Sequence, residues 1–169
     1  NKKMIKQFET EIVKDEANKK IYVNRDFHAP LNLVWRAWTE AELLDKWWAP
    51  KPYKAVTKTL EFKEGGRWLY HMLGPEGDKQ WCRFDYEAIE IKSSFSGKDA
   101  FCDENGKASD EFPGMHWENR FTDMEGITHV NVVISFQSVE VMEKIIEMGF
   151  KEGFSMGLEN LDELLTELS

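Results

Sequence analysis

The sequence predicts one α+β domain, residues 1–169, in which an antiparallel sheet packs against a long C-terminal helix. Residues 53–136 alternate between apolar and polar side chains in short runs separated by turn residues, which is typical of a strand meander. Residues 139–168 repeat apolar side chains at helical spacing, and two short helical segments precede the meander. A chain of 169 residues suits one domain with one sizeable core.

The N-terminal segment is expected to form a β-hairpin. Residues 6–13 alternate in polarity, and residues 20–27 are rich in β-branched and aromatic side chains. Residues 15–18, between these two runs, have the composition of a turn. A hairpin is therefore the predicted start of the fold.

Two short helices should follow the hairpin. Pro30 suits the first position of a helix, where its missing N–H group leaves no hydrogen bond unmade, and apolar side chains follow it at helical spacing. Thr39 and Glu42 have the spacing of a capping box, which predicts that a second helix begins there. The prolines Pro50 and Pro52 should end it.

Strand alternation assigns a set of large side chains to the interior of the meander. Most of these inward side chains are aromatic, namely Trp68, Tyr70, Phe84, Tyr86 and Trp117. Further tryptophans, including Trp38 and Trp48, cluster on the two short helices. Such a set forms either an ordinary aromatic core or the lining of a pocket for an apolar or planar molecule.

The C-terminal helix should break near Gly149 and bury one face of its longer part against the sheet. Its apolar side chains fall within an arc of roughly 120° on a helical wheel, and they are Phe150, Phe154, Leu158, Leu161, Leu164, Leu165 and Leu168. Gly157 lies inside this arc and Gly153 at its flank. A glycine there indicates either close approach of the helix to a neighbour or space for a ligand, and we expect Gly157 to mark that space.

Lys58 is a charged side chain that interrupts an apolar row formed by Val56, Leu60 and Phe62. Regular alternation would point Lys58 inward, where its ammonium group could hold a carboxylate or phosphate of a ligand. An edge strand or a bulge would instead turn Lys58 to solvent, where lysine protects a sheet edge. The sequence favours the second interpretation and leaves the first open.

Candidate catalytic and metal-binding residues are absent from the sequence pattern. The four histidines, His28, His71, His116 and His129, do not stand at a metal-ligand spacing, and His71 and His129 fall on polar strand faces. Cys82 shares an inward face with aromatic residues and is expected to be a small core residue. We therefore expect no metal, no cofactor and no catalytic residue.

Charge and cysteine content restrict the partners and the compartment. The net charge of −9 makes nucleic acid a poor candidate partner, because its phosphates would be repelled. No apolar run approaches the length of about 20 residues that a membrane-spanning helix needs. Cys82 and Cys102 have no pairing pattern and no secretory signal precedes them, so we expect free thiols and a cytoplasmic location.

Several short motifs occur in an order that resembles a known family. Residues 29–39 read APLNLVWRAWT, residues 46–50 KWWAP, residues 60–68 LEFKEGGRW, and residues 147–154 EMGFKEGF. This set resembles the heat-shock-protein-90 ATPase activator homologue-like family of the SRPBCC (START, pollen-allergen-like) superfamily. The similar region covers about 21–165, which leaves 1–20 as an extension that can add a strand. His28 and Ala41 depart from the pattern, where relatives usually carry an acid and a proline.

The resemblance implies a helix-grip fold, in which a curved antiparallel sheet wraps around the C-terminal helix and two short helices close one end. It implies non-catalytic binding of a small hydrophobic molecule in an internal cavity. A chaperone-associated stress-response role through protein contacts is the alternative, and a cyclase- or hydrolase-like enzyme is a weaker one. The residues expected to contact a ligand are Trp38, Trp48, Lys58, Trp68, Tyr70, Phe84, Tyr86, Trp117, Phe150, Phe154, Gly157, Leu158 and Leu161.

Overall fold

Eight strands form one antiparallel sheet in the computed structural model, which describes residues 8–169. The strands follow the order β1-β2-β8-β7-β6-β5-β4-β3, so β1 and β3 are its edges. The strands are β1 Glu11–Asp15, β2 Lys20–Phe27, β3 Lys54–Leu60, β4 Arg67–Leu73, β5 Lys79–Glu90, β6 Ser94–Phe101, β7 His116–Asp123 and β8 Thr128–Ser135. The helices are α1 Leu31–Thr39, α2 Ala41–Trp47, α3 Val139–Glu147 and α4 Phe150–Leu168. This architecture confirms the predicted α+β class and the helix-grip arrangement.

The hairpin of β1 and β2 adds the outermost strand on one side of the sheet. β1 spans Glu11–Asp15 and thus lies later in the chain than the predicted strand at 6–13, of which residues 6 and 7 fall outside the described part. The turn correspondingly begins after Asp15, whose carboxylate accepts hydrogen bonds from Asn18. β2 has the predicted bounds, and alternate residues of it are buried.

The predicted capping box between α1 and α2 is wrong. Thr39 is the last residue of α1, and its hydroxyl donates a hydrogen bond of 2.8 Å to the carbonyl of Trp35. Because Thr39 belongs to α1, it is not the residue that precedes α2 and cannot act as its N-cap. Glu40 precedes α2 instead and makes no side-chain capping bond. The two helices are nevertheless where the sequence predicts them.

A bulge in β3 changes which of its residues face inward. The pairing of β3 with β4 shifts between Thr57 and Thr59, so Lys58 is an extra residue with no partner across the ladder. Ala55 is buried, whereas Val56, which alternation places inside, is exposed. On the N-terminal side of the bulge, the inward positions are therefore shifted by one residue from those that the predicted apolar row assigns.

The C-terminal segment breaks where predicted. Gly149 separates α3 from α4 with φ +96°, a backbone conformation that glycine adopts without strain. The apolar face of α4 then packs against the sheet and α2, with Leu158 and Leu161 almost inaccessible. Leu168, the last residue of α4 and of the predicted apolar arc, is exposed.

Two predicted surface histidines differ in their surroundings. His71 is buried, contrary to expectation, because the ring of Trp81 covers it at a centroid distance of 4.6 Å. Burial lowers the pKa of His71. His129 is half-exposed and lies against Asp26 on the neighbouring strand. Neither histidine faces the interior of the grip.

Candidate ligand-binding cavity

A cavity of about 290 Å³ lies between the first turns of α4 and the strands β4, β5 and β6. The end of α2, the junction of α3 and α4 and the connection from β6 to β7 complete its wall. Met148, at this junction, is largely exposed and lies at the mouth. Most of the wall is apolar, which is the usual character of a pocket for a small organic molecule.

Five of the residues predicted to contact a ligand line this cavity. They come from three parts of the fold, namely α2, the sheet and α4, and are Trp48, Tyr70, Trp117, Phe150 and Phe154. Several of these rings contact one another: Trp117 and Phe154 meet edge to face with centroids 5.5 Å apart, and Phe150 and Phe154 are stacked at 5.6 Å. The structure thus brings these five residues together around a cavity at one end of α4, and their contact with a ligand stays a prediction.

Four other predicted residues surround a second, much smaller void of about 20 Å³. These are Trp38, Trp68, Phe84 and Tyr86. Trp48 and Trp117 line both spaces and therefore separate them. The remaining helical residues, Leu158 and Leu161, line neither space and belong to the core.

Lys58 lies outside both spaces. Its ammonium group donates a hydrogen bond of 2.9 Å to the carbonyl of Glu104 and stands 5.8 Å from the centre of the Trp81 ring. The bulge and the edge position of β3 turn the side chain to solvent. The structure therefore agrees with the interpretation that a bulge at the sheet edge turns Lys58 to solvent, and not with the one that points it inward.

Gly157 marks a close approach between helices, and the expectation of ligand space beside it is wrong. A Cβ atom at Gly157 would lie 3.2 Å from the carbonyl oxygen of Trp48 and 3.5 Å from that of Trp47. Gly153 lines the cavity instead, and a Cβ there would meet only Pro50, at 3.7 Å. Gly153, at the flank of the apolar face, therefore borders the cavity, whereas Gly157 does not.

Asp99 is the residue that sequence reasoning missed. It lies on β6 and is the only charged residue in the cavity wall of the described chain. Its carboxylate accepts a hydrogen bond of 2.8 Å from the backbone N–H of Met115 and another of 2.8 Å from Nε1 of Trp117. The alternation of Phe95, Gly97 and Asp99 on an otherwise inward face was the signal that could have revealed it.

Burial governs the acid–base properties of the cavity. It raises the pKa of Asp99 to about 6, against the lowering effect of the two hydrogen bonds that the carboxylate accepts. Asp99 is consequently mostly ionised at neutral pH but protonated in mild acid. No Lys, Arg or His side chain forms an ion pair with it within residues 8–169.

Tyr70 and Cys82 supply uncharged polar groups beside Asp99. Nε1 of Trp48 donates a hydrogen bond of 2.9 Å to the Tyr70 hydroxyl, and the Cys82 thiol donates a weak hydrogen bond to the carbonyl of Gln80, with 3.9 Å between sulfur and oxygen. Burial raises the pKa of Tyr70 well above its usual value and that of Cys82 to about 12. Both groups stay neutral at physiological pH, and the Cys82 thiol is not activated as a nucleophile.

The part of the chain that the structure describes contains no cluster of three metal-ligating side chains. Within the same residues, no helix has both the length and the apolar character needed to cross a membrane. Cys82 and Cys102 are unpaired thiols, in agreement with the sequence prediction.

Comparison with solved structures reveals close similarity to bacterial proteins of the same size. A protein from Arthrobacter aurescens is 31% identical, with a TM-score of 0.88 over 93% of this chain and 91% of that one. A protein from Mycobacterium smegmatis is 28% identical, with a TM-score of 0.85 over 92% and 96%. A protein from Staphylococcus epidermidis is 26% identical, with a TM-score of 0.82 over 94% of each chain. A comparison with curated proteins found no match.

The family profile described as "Activator of Hsp90 ATPase homolog 1-like protein" matches residues 28–166. This range begins near the start of α1 and ends within α4, so it includes every element that lines the cavity. The sequence motifs, the helix-grip architecture and the solved relatives agree with it. The chain therefore belongs to the Activator of Hsp90 ATPase homolog 1-like family.

Proposed function

We propose that this protein binds a small, mostly apolar molecule in the cavity between α4 and the sheet, without catalysing a reaction on it. The supporting observation is the cavity of about 290 Å³ itself, which has an aromatic wall and a mouth at the α3–α4 junction. A protein core is normally packed to near-crystalline density, with few spaces larger than a water molecule. An open space of this size, in a core otherwise filled by interlocking aromatic rings, is the expected feature of a binding site.

The polar groups in the wall favour binding over catalysis. Tyr70 and Cys82 hold their protons at physiological pH, and Cys82 lacks the electropositive surroundings that activate a thiol. Asp99 has a pKa near the neutral range, but among residues 8–169 no acid or base lies within hydrogen-bond reach with which it could form a catalytic pair. The wall can thus orient a molecule by hydrogen bonds.

A chaperone-associated role is the second candidate, and its support is the description of the matched family. Such a role would use the protein surface. If the protein acts through a chaperone, a variant with a filled cavity should still bind the chaperone. If the protein acts by binding a small molecule, the same variant should lose affinity for that molecule.

The binding function can be tested with the neutral fluorescent dye N-phenyl-1-naphthylamine. We expect saturable binding of one dye per chain, with increased emission. Gly153→Leu should lower the dye affinity about tenfold or more, because the added side chain projects into the cavity beside Pro50. Thr166→Leu adds the same side chain at an exposed site near the other end of α4 and should bind dye like the wild type.

Circular dichroism and thermal unfolding should confirm that both variants are folded. If folded Gly153→Leu binds the dye as tightly as Thr166→Leu does, the dye does not occupy this cavity. If the wild type binds no dye and no other small apolar molecule, the proposed function is wrong.

A further inference from the structure

We propose that the cavity selects apolar molecules that carry a cationic amine, with the ammonium group bound to the carboxylate of Asp99. This inference rests on the proposed function and specifies the chemical class of its ligand. Asp99 stands in the wall among aromatic residues, at a point that a molecule filling the cavity would touch.

The carboxylate of Asp99 retains hydrogen-bonding capacity on both oxygens. Oδ1 accepts one bond from the Met115 backbone and Oδ2 one from Trp117 Nε1. A carboxylate oxygen has about two lone pairs, so each oxygen can accept one further donor. These two protein bonds fix the plane of the carboxylate, and the remaining lone pairs are available to a ligand in the cavity.

The charge on Asp99 has no counter-charge in the described part of the protein. Even a partly buried carboxylate such as Asp99 loses hydration without gaining a cation, and proteins normally pair such a group. The acid is not needed merely to hold Met115 and Trp117, since a neutral amide or hydroxyl oxygen can also accept a hydrogen bond. A carboxylate facing an apolar cavity is instead the group that recognises an ammonium ion by a charge-assisted hydrogen bond.

The surroundings of Asp99 favour a cation further. Trp48, Tyr70 and Trp117 line the same space, and aromatic rings attract an ammonium group. Tyr70 on β4 and Cys82 on β5 are the other titratable groups in the wall, and both are uncharged at neutral pH. The parts of α2, α3, α4 and β7 that line the cavity contribute no charged side chain. A carboxylate ligand, by contrast, would meet only the repulsion of Asp99.

Three probes of nearly equal shape test this selection: 1-naphthylmethylamine, 1-naphthylmethanol and 1-naphthoate. Each would compete with N-phenyl-1-naphthylamine near pH 7.5, where Asp99 is ionised. We expect the amine to bind about tenfold or more tightly than the alcohol, and the carboxylate to bind most weakly. This comparison uses the wild-type protein alone, so it does not depend on the folding of any variant.

Asp99→Asn should remove the preference for the amine while changing the affinity for the alcohol by no more than about twofold. Asp123→Asn is the matched control, because it removes the same charge from an exposed site outside the cavity and should keep the preference. Equal binding of the three probes, or an amine preference that survives Asp99→Asn, would overturn the selection while leaving the binding function intact. Failure of the dye and of all three probes to bind would overturn both.

Discussion

The carboxyl group of Asp99 should make the stability of the ligand-free protein depend on pH. Burial raises its pKa in the folded protein to about 6, above the 3.8 of an ordinary aspartate. The folded state therefore binds this proton more tightly than the unfolded state does. The contribution of Asp99 to the free energy of unfolding should fall as the pH rises from about 4 to about 6, by at most about 3 kcal/mol in total.

The measurement is the difference in unfolding free energy between the wild type and Asp99→Asn, obtained by denaturant titration at several pH values. Between pH 7.5 and pH 5 this difference should shift by about 1 kcal/mol in favour of the wild type. Asn cannot titrate, so the contributions of other groups cancel in the comparison. A difference that stays constant over this range would show that Asp99 has an ordinary pKa.

Asp99 and Lys58 show how far single residues can be assigned from sequence. Both are charged residues at positions that alternation points inward, and only Asp99 is inside. The reason is the bulge in β3, which releases Lys58 from the ladder, whereas β6 pairs regularly with β7 as far as Lys98. The alternation of polar and apolar residues identifies inward positions only when the strand is regular. A bulge cannot be recognised from a single sequence.

At the scale of elements, the two glycines of α4 should respond oppositely to alanine. Gly153→Ala should stabilise the protein by about 0.5–1 kcal/mol, because alanine favours the helix and its Cβ meets only an ordinary contact with Pro50. Gly157→Ala should not increase the stability, because its Cβ would lie only 3.2 Å from the backbone carbonyl oxygen of Trp48.

Thermal and chemical unfolding of the two variants would check this contrast. We expect Gly153→Ala to be more stable than Gly157→Ala by at least about 1 kcal/mol. Since the same substitution is made in the same helix, intrinsic helix propensity cancels. Equal stability of the two variants would mean that α2 does not approach Gly157 closely.

The elements themselves were largely predictable, and their ends were not. β2 and the break at Gly149 follow from local composition, because residue propensity and the geometry of glycine act within a few residues. The capping box failed because Thr39 is the last residue of α1, and the spacing between Thr39 and Glu42 does not show at which residue one helix ends and the next begins. Gly157 was assigned to the wrong surroundings because its neighbour in space belongs to α2, more than 100 residues earlier in the chain.

For the molecule as a whole, the position of the cavity follows from how α4 is attached. Asn160, in the middle of α4, donates hydrogen bonds to the carbonyls of Trp47 and Ala49. Beyond it, Asp162 forms a salt bridge of 3.2 Å with buried Arg25 on β2. These polar contacts fix the middle and C-terminal parts of the helix, while the first turns present Phe150 and Phe154 to the cavity.

The family motifs predict the helix-grip fold, because they lie in helices and turns that are characteristic of this fold. They do not predict where the core is left unfilled. The position of the cavity depends on how side chains from α2, four strands and the α3–α4 junction together fill the space between them. No local sequence pattern determines this packing. The aromatic residues that alternation points inward are buried, but which of them line the cavity could not be predicted from the sequence.

Ligand binding in the cavity can be observed directly by NMR titration of ¹⁵N-labelled protein with N-phenyl-1-naphthylamine, followed at the indole N–H groups of the tryptophans. Trp48 and Trp117 line the cavity, whereas Trp35 lies in the core and Trp81 covers His71 on the other face of the sheet. A ligand in the cavity should shift the Trp48 and Trp117 signals along one saturable curve and leave those of Trp35 and Trp81 in place. Saturable binding that shifts Trp81 but neither Trp48 nor Trp117 would contradict the account.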